Sequence, residues 1–155
     1  MKKSNSKLFV LSLLLLISFR PIQSAEMADP IKVDWSFKGL TGTFDRSSLQ
    51  RGFQVYKEVC AGCHGMRLIS YRNLAALGYN QDELKAIASQ FEITDGPNDD
   101  GEFFTRPGRP SDKFASPYPN KKAAIAANGG AYPPDLSLII KARPNGANYL
   151  HALLS

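Results

Sequence analysis

The pentapeptide 60-CAGCH-64 holds both cysteines of this 155-residue chain and one of its two histidines. Residues this scarce, set at the spacing C-x-x-C-H, restrict what the surrounding polypeptide folds to hold. Three chemistries use a C-x-x-C pair. A structural zinc site needs four ligands, and the candidates are Cys60, Cys63, His64 and the remote His151, with His64 too close to Cys63 along the chain to share a tetrahedron with it. A thioredoxin-like redox pair opens a helix that follows a strand in an alternating βαβ pattern, whereas 43-TFDRSSLQRGFQVYKEVC-60 reads as helix. The third is covalent attachment of haem c, in which two thiols add to the porphyrin's vinyl groups and the adjacent imidazole becomes an axial iron ligand. Every residue of the motif then has a use; a redox dithiol or a chance spacing are the alternatives.

The N-terminus bears on the compartment. Lys2, Lys3 and Lys7 precede the apolar run 8-LFVLSLLLLISF-19 and a short exit, 20-RPIQSA-25, which together read as a secretory signal peptide over residues 1–25. A run of roughly twelve apolar positions is short for a ~30 Å hydrocarbon layer, so cleavage after Ala25 is expected over retention as an anchor. The leader carries four of the nineteen basic residues and none of the fourteen acids, leaving fifteen bases against fourteen acids beyond it. That balance lacks the basic footprint of a nucleic-acid binder. Export also favours a captured thiol pair, since free thiols at this spacing drift towards a disulfide in an oxidising compartment.

The rest, residues 26–155, reads as one mainly α domain with long irregular loops. Asp45 or Ser47 can cap a helix whose Leu49, Phe53, Tyr56 and Val59 make one apolar face leading into the motif. Further helices are expected over 70–78, 81–92, 120–128 and 135–143, the last capped by Asp135, with Gly78, Gly129 and Gly130 as stops. Gly52 and Gly62 are candidates for close backbone approach. The stretch 94–120 is dense in Gly, Pro, Asp and Ser and reads as irregular backbone, and strand signals are weak throughout. No nucleophile–base pair or paired catalytic carboxylates stand out, so the isolated chain is not expected to be an enzyme.

Four stretches together resemble the cytochrome c1 family, the haem c subunit of the ubiquinol–cytochrome c reductase complex: 60-CAGCHGM-66 with 71-YRNL-74, 95-DGPNDDGEFFTRPGRPSD-112, 117-PYPN-120 and 127-ANGGAYPPDLSLIIKAR-143. The resemblance runs from Trp35 to the last residue. It implies a cytochrome c-like helical haem domain, with Cys60 and Cys63 as thioether sites and His64 as the proximal iron ligand. It also implies that 134-PDL-136, with Pro134 and Leu136, packs over the His64 side of the haem, the proline carbonyl accepting the ring N–H. Arg143 would sit near the haem propionates, with Asn128 as a further propionate or haem-edge candidate. The plainer readings are a turn proline for Pro134 and a solvated helix terminus for Arg143.

The partners so implied are cytochrome b and the Rieske iron–sulfur protein of the same complex, with cytochrome c as electron acceptor; the leader adds the expectation of the periplasmic side of a bacterial inner membrane. Glu92, Asp95, Asp99, Asp100 and Glu102 form an acidic stretch that is either solvated surface or a docking rim for a lysine-rich cytochrome. A soluble monohaem cytochrome c is the nearest alternative, and a thiol–disulfide oxidoreductase a more distant one. Two family features, a second axial methionine and a C-terminal transmembrane helix, are not found by residue 155. Met66 lies on the same side of the ring as His64, Met27 is in the N-terminal tail, and His151 reads as a packing residue. The chain therefore reads as incomplete at its C-terminus, with uncovered apolar surface expected.

Overall fold

The sequence places a carboxylate just before its first amphipathic stretch, and the structure uses it. This computed structural model describes residues 31–155; the expected leader over 1–25 lies outside them. Helix α1 (Arg46–Glu58) starts where the Asp45 carboxylate accepts the Ser48 N–H at 2.9 Å, so Asp45, not Ser47, is the cap. Leu49, Phe53 and Tyr56 are half-buried along one side. Val59, expected on that face, falls beyond the helix end and is exposed. A Cβ at Gly52 or Gly62 would meet nothing within 4 Å, so no protein atom uses the close approach these glycines permit.

A 3-10 turn, Cys60–Gly62, carries the motif, and a 3-10 helix, Tyr71–Leu77, follows. Ser70 and Asn73 cap the latter reciprocally, and Gly78 ends it in the left-handed region at φ 98°. Helix α2 (Gln81–Ala88) has the same reciprocal cap, with Asn80 accepting the Asp82 and Glu83 N–H groups and the Glu83 carboxylate accepting the Asn80 N–H at 2.7 Å. It stops short of residue 92 because the chain there enters a sheet that the sequence did not announce.

Strands β1 (Glu92–Asp95) and β2 (Phe104–Pro107) pair antiparallel, in register from Glu92 opposite Pro107 to Asp95 opposite Phe104. The Asn98 side-chain oxygen gathers the turn between them, accepting the Asp100 and Glu102 N–H groups at 3.1 and 2.8 Å. The Arg106 guanidinium then ties the hairpin down. It bonds Asp95 and holds Asp112 through both oxygens, at 2.7 and 3.0 Å. That hydrogen bonding from Arg106 holds the Asp95 and Asp112 carboxyls below the usual carboxylate range, helped by the N–H groups of Gly96 and Arg109 respectively.

A carboxyl depressed in the folded state stabilises the fold above its unfolded pKa, about 3.9 for Asp, and that contribution is lost as pH falls through the folded value. Arg106→Gln is therefore expected to be less stable than the parent at neutral pH and to lose less stability as pH drops below about 4. Urea midpoints across that range check it; parallel pH profiles would contradict it.

The core is small. Tyr71, Leu74, Leu84, Ala88 and Phe114 are buried, with Phe53, Tyr56, Met66 and Phe91 packed against them. Tyr71 stacks on Phe114 at 4.8 Å between centroids and on Phe91 at 5.2 Å. Segment 69–72 is laced to 110–114 by Phe114 N–H to Ile69 O, Tyr71 N–H to Asp112 O and Arg72 N–H to Pro110 O, at 3.0, 3.1 and 2.7 Å. Gly108 lets the end of β2 press on α2, where a Cβ would come within 2.5 Å of Ala88 O.

Helix α3 (Lys121–Ala127) is capped by Asn120 and halted at Gly129 and Gly130, both at positive φ. Helix α4 (Ile139–Ala142) is a single turn and α5 (Ala147–Leu154) follows. The helix expected over 135–143 is thus corrected at its start, and Asp135 is not its cap. The N-terminal segment is pinned to α5, with Val33 N–H and the Trp35 indole N–H both donating to the Asn148 side-chain oxygen, at 3.1 and 2.8 Å. The architecture is mainly α, as expected, with the hairpin added. No described helix is long and apolar enough to cross a membrane. Large apolar side chains at Leu40, Val59, Tyr132, Leu138, Leu153 and Leu154 lie exposed, so the described residues leave apolar surface uncovered.

Candidate functional site

The motif is built on the end of α1. Continued turning brings the Cys63 and His64 N–H groups to the Cys60 carbonyl at 3.1 and 2.8 Å. The His64 backbone is held in turn by the Tyr56 hydroxyl, which donates to its carbonyl at 3.3 Å. Burial, with Tyr71, Asp135 and Cys60 nearby, pushes the Tyr56 phenol up to about 12, so it remains a neutral donor at physiological pH. Cys60 and Cys63 are free thiols, Cys60 half-buried and Cys63 exposed. Beside them a cleft of about 190 Å³ is lined by Cys63, Met66, Phe114, Tyr118, Lys121 and Tyr132.

The His64 ring is fixed from the other side. Its Nδ1 lies 2.8 Å from the Pro134 carbonyl oxygen. A carbonyl only accepts, so Nδ1 carries the proton and, in the neutral ring, Nε2 keeps its lone pair. No hydrogen bond among the described residues engages Nε2. The segment supplying that carbonyl is itself fastened to the motif. Leu136 N–H donates to Gly65 O at 2.8 Å, Arg67 N–H to Asp135 Oδ2 at 3.0 Å, and Leu68 N–H to Ser137 Oγ at 3.1 Å. Burial disfavours the Asp135 carboxylate, but hydrogen bonds from Ser137 and Arg67 outweigh it and hold the carboxyl below its usual range. Pro134 and Leu136 thus meet the motif, together with Asp135 and Ser137, which the sequence reading did not assign to the site. An Asp two residues before a Ser, directly after a Pro-Pro, signals a local turn, and the Ser137 N–H does donate to Asp135 Oδ1 at 2.9 Å. Its partners at 67 and 68 are invisible to such a signal.

The remaining candidates sit apart. Both amide hydrogens of Asn128 are engaged, one to Ala124 O at 2.7 Å and one to Tyr118 Oη at 3.1 Å, so the side chain closes α3 and steadies a cleft residue. Arg143 is exposed, with its guanidinium 5.9 Å from the Tyr149 ring centroid, and among the described residues no carboxylate pairs with it. No hydrogen bond links it to the motif. His151 packs edge-on against Trp35 at 5.9 Å, and Met66 packs against the core.

Among the described residues no three His, Cys, Asp or Glu side chains converge as metal ligands, which leaves the zinc reading without a donor set. The C-x-x-C pair follows a helix, and the hairpin lies downstream of it, so among the described residues the strand-then-helix setting of a thioredoxin site is also missing. Two unbridged thiols and an imidazole presenting a bare Nε2, beside a cleft lined in part by Met66, Phe114, Tyr118 and Tyr132, do fit a covalently held porphyrin. A helical scaffold presenting its thiols and imidazole this way is the arrangement of a c-type cytochrome domain.

The comparisons with known proteins are more specific. The model of the Cytochrome C1 family matches residues 35–155, and the chain belongs to that family. "Cytochrome c1" of Rhodospirillum rubrum is 58% identical over 123 residues, covering 79% of this chain and 45% of that protein. "Cytochrome c1-2, heme protein, mitochondrial" of Solanum tuberosum is 52% identical over 144 residues, covering 90% and 55%. "Cytochrome b-c1 complex catalytic subunit, mitochondrial" of Candida albicans is 48% identical over 126 residues, covering 81% and 44%. The chain thus spans about half the length of the curated relatives it matches.

Proposed function

We propose that this chain is the haem-attachment part of an electron-transfer subunit of a cytochrome b–c1 complex, bearing one covalent haem c. Its electron comes from the Rieske iron–sulfur protein of the complex, alongside cytochrome b, and goes to a cytochrome c. The observation that carries the reading is the 2.8 Å bond from His64 Nδ1–H to the Pro134 carbonyl, which leaves Nε2 as a pre-oriented ligand beside two free thiols. When bound, the haem supplies a one-electron iron couple.

Cys60 and Cys63 fix the porphyrin edge, His64 offers Nε2, and the Pro134 carbonyl raises the basicity of the ring by accepting its proton-bearing nitrogen. Arg143, exposed and without a carboxylate partner among the described residues, would be the cation that pairs with a propionate, a role that rests on the family resemblance. The leader over 1–25, an expectation from sequence alone, puts this site on the periplasmic face of a bacterial inner membrane. The test is a pyridine haemochrome spectrum of protein made with a haem-attachment machinery. A c-type spectrum that survives acid–acetone extraction supports the proposal, and a colourless protein with a reducible disulfide overturns it.

The acidic stretch supplies the docking side of the reading. Asp99, Asp100 and Glu102 are exposed around the hairpin turn, whereas Asp95 is engaged by Arg106. Long-range attraction between this rim and a lysine-rich partner speeds encounter and is screened over about 8 Å at physiological salt. Neutralising all three is expected to slow electron transfer to cytochrome c at low salt and to flatten its ionic-strength dependence. Stopped-flow rates over a salt series read both, and an unchanged slope removes the docking role.

A further inference from the structure

We infer that Asp135 is a positioning residue for His64, fixing the direction of the Pro134 carbonyl and so the tautomer and orientation of the ring. The inference rests on the haem-ligand reading of His64.

The peptide unit joining residues 134 and 135 is planar, so the Pro134 C=O and the Asp135 N and Cα move together. Whatever anchors Asp135 aims that carbonyl. Asp135 is anchored by both oxygens to two different stretches of chain: Oδ2 accepts the Arg67 N–H at 3.0 Å and Oδ1 accepts the Ser137 N–H at 2.9 Å. Gly65 lies directly beneath, where a Cβ would reach Asp135 Oδ2 at 3.5 Å. The Leu136 N–H to Gly65 O and Leu68 N–H to Ser137 Oγ bonds complete a ladder between 134–137 and 64–68. An N-cap role would be the ordinary explanation for an Asp before a helix, but α4 begins only at Ile139 with Leu138 at its cap. No lysine or arginine side chain forms a salt bridge with Asp135 among the described residues, so the carboxylate serves backbone N–H groups. Serine or threonine at this position, with one oxygen, would reach one of the two stretches and not both.

Three variants, Asp135→Ala, Asp135→Asn and Ser137→Ala, matured with haem in the full chain, test the assignment. Two readouts bear on it: deuterium exchange of the His64 ring N–H, followed by NMR on protein labelled with 15N-histidine, and the reduction potential. Loss of the ladder weakens the bond at Nδ1, so Asp135→Ala is expected to quicken exchange about tenfold and to raise the potential, since a less basic imidazole favours the ferric state less. Asp135→Asn keeps one carbonyl oxygen and should fall between parent and alanine in both readouts, the potential being the one that loss of stability alone leaves unmoved.

Exchange and potential unchanged in Asp135→Ala, at equal covalent haem content, overturn the assignment. Should that variant fail to fold, Asp135→Asn and Ser137→Ala decide by the same readouts. A colourless parent overturns the haem reading alone. The ring 15N shifts of that colourless protein then decide the positioning role: a proton on Nδ1 in the parent and on Nε2 in Asp135→Ala supports it, and the same nitrogen in both overturns it.

Discussion

The Cys60→Ala, Cys63→Ala double variant is expected to emerge without covalent haem, and His64→Ala to emerge with haem attached but with an altered iron spectrum that added imidazole restores. The first effect follows from bond count: with both thiols gone no thioether can form, and the porphyrin is extractable. Each single variant keeps one anchor, and its haemochrome band shifts because one vinyl group stays unsaturated. The second follows from the division of labour in the motif. On the proposed assignment His64 would form no bond to the porphyrin edge, so its loss would leave attachment possible and remove a nitrogen ligand from the iron. Imidazole from solution would supply that nitrogen again, and the Pro134 carbonyl, which the substitution leaves in place, remains to accept its N–H. Rescue separates a lost ligand from a collapsed fold, since a collapsed fold would not recover on adding a small base. Extraction and absorption spectra read both effects. Retained covalent haem in the double variant would end the account of this site.

The same bond shows why some of the site was legible in the sequence and some was not. Spacing within one turn is a local property, so C-x-x-C-H identifies two thiols and an imidazole whatever surrounds them. The existence of helices α1 and α2 was readable because Leu49, Phe53 and Tyr56, or Leu84 and Ala88, repeat at the helical period, but the Asn80 cap of α2 and its end at Ala88 rather than residue 92 were not. The hairpin was not. Its strands, 92-EITD-95 and 104-FTRP-107, have four residues each, lack alternating apolar positions, and flank a Gly-, Pro- and Asp-rich turn that dominates any local reading. What fixes them is Arg106 reaching back to Asp95 and forward to Asp112, a pairing with no sequence signature. The late start of α4 has a similar origin, since Asp135 and Ser137 turn to partners nearly seventy positions upstream and leave the backbone non-helical until Ile139. Competing long-range hydrogen bonds override helix propensity there.

Phe114→Ala is expected to lower stability by about 3–5 kcal/mol, the usual range for emptying a buried aromatic site. Set against a whole-domain stability of about 5–15 kcal/mol, that is a large fraction for a core this small. Phe114 is only 8% exposed and joins the layers: its ring stacks on Tyr71 at 4.8 Å and on Tyr56 at 5.8 Å, and lies 6.0 Å from Phe53 of α1. Its backbone N–H bonds Ile69 O, so the segment closing the site is hung on the same residue. The cavity would open beside Tyr56, whose hydroxyl holds the His64 carbonyl, and beside the cleft that Phe114 lines with Cys63 and Met66. Stability and site geometry should therefore fall together, with a lower denaturant midpoint and a broadened iron spectrum in the same variant. Phe103→Ala is the contrast: Phe103 is 71% exposed on the hairpin turn, and its removal is expected to change stability by no more than about 0.5 kcal/mol. Equal midpoints for the two variants would mean that the aromatic stack does not carry the fold, and that the motif is held by its own turn and by the 134–137 ladder alone.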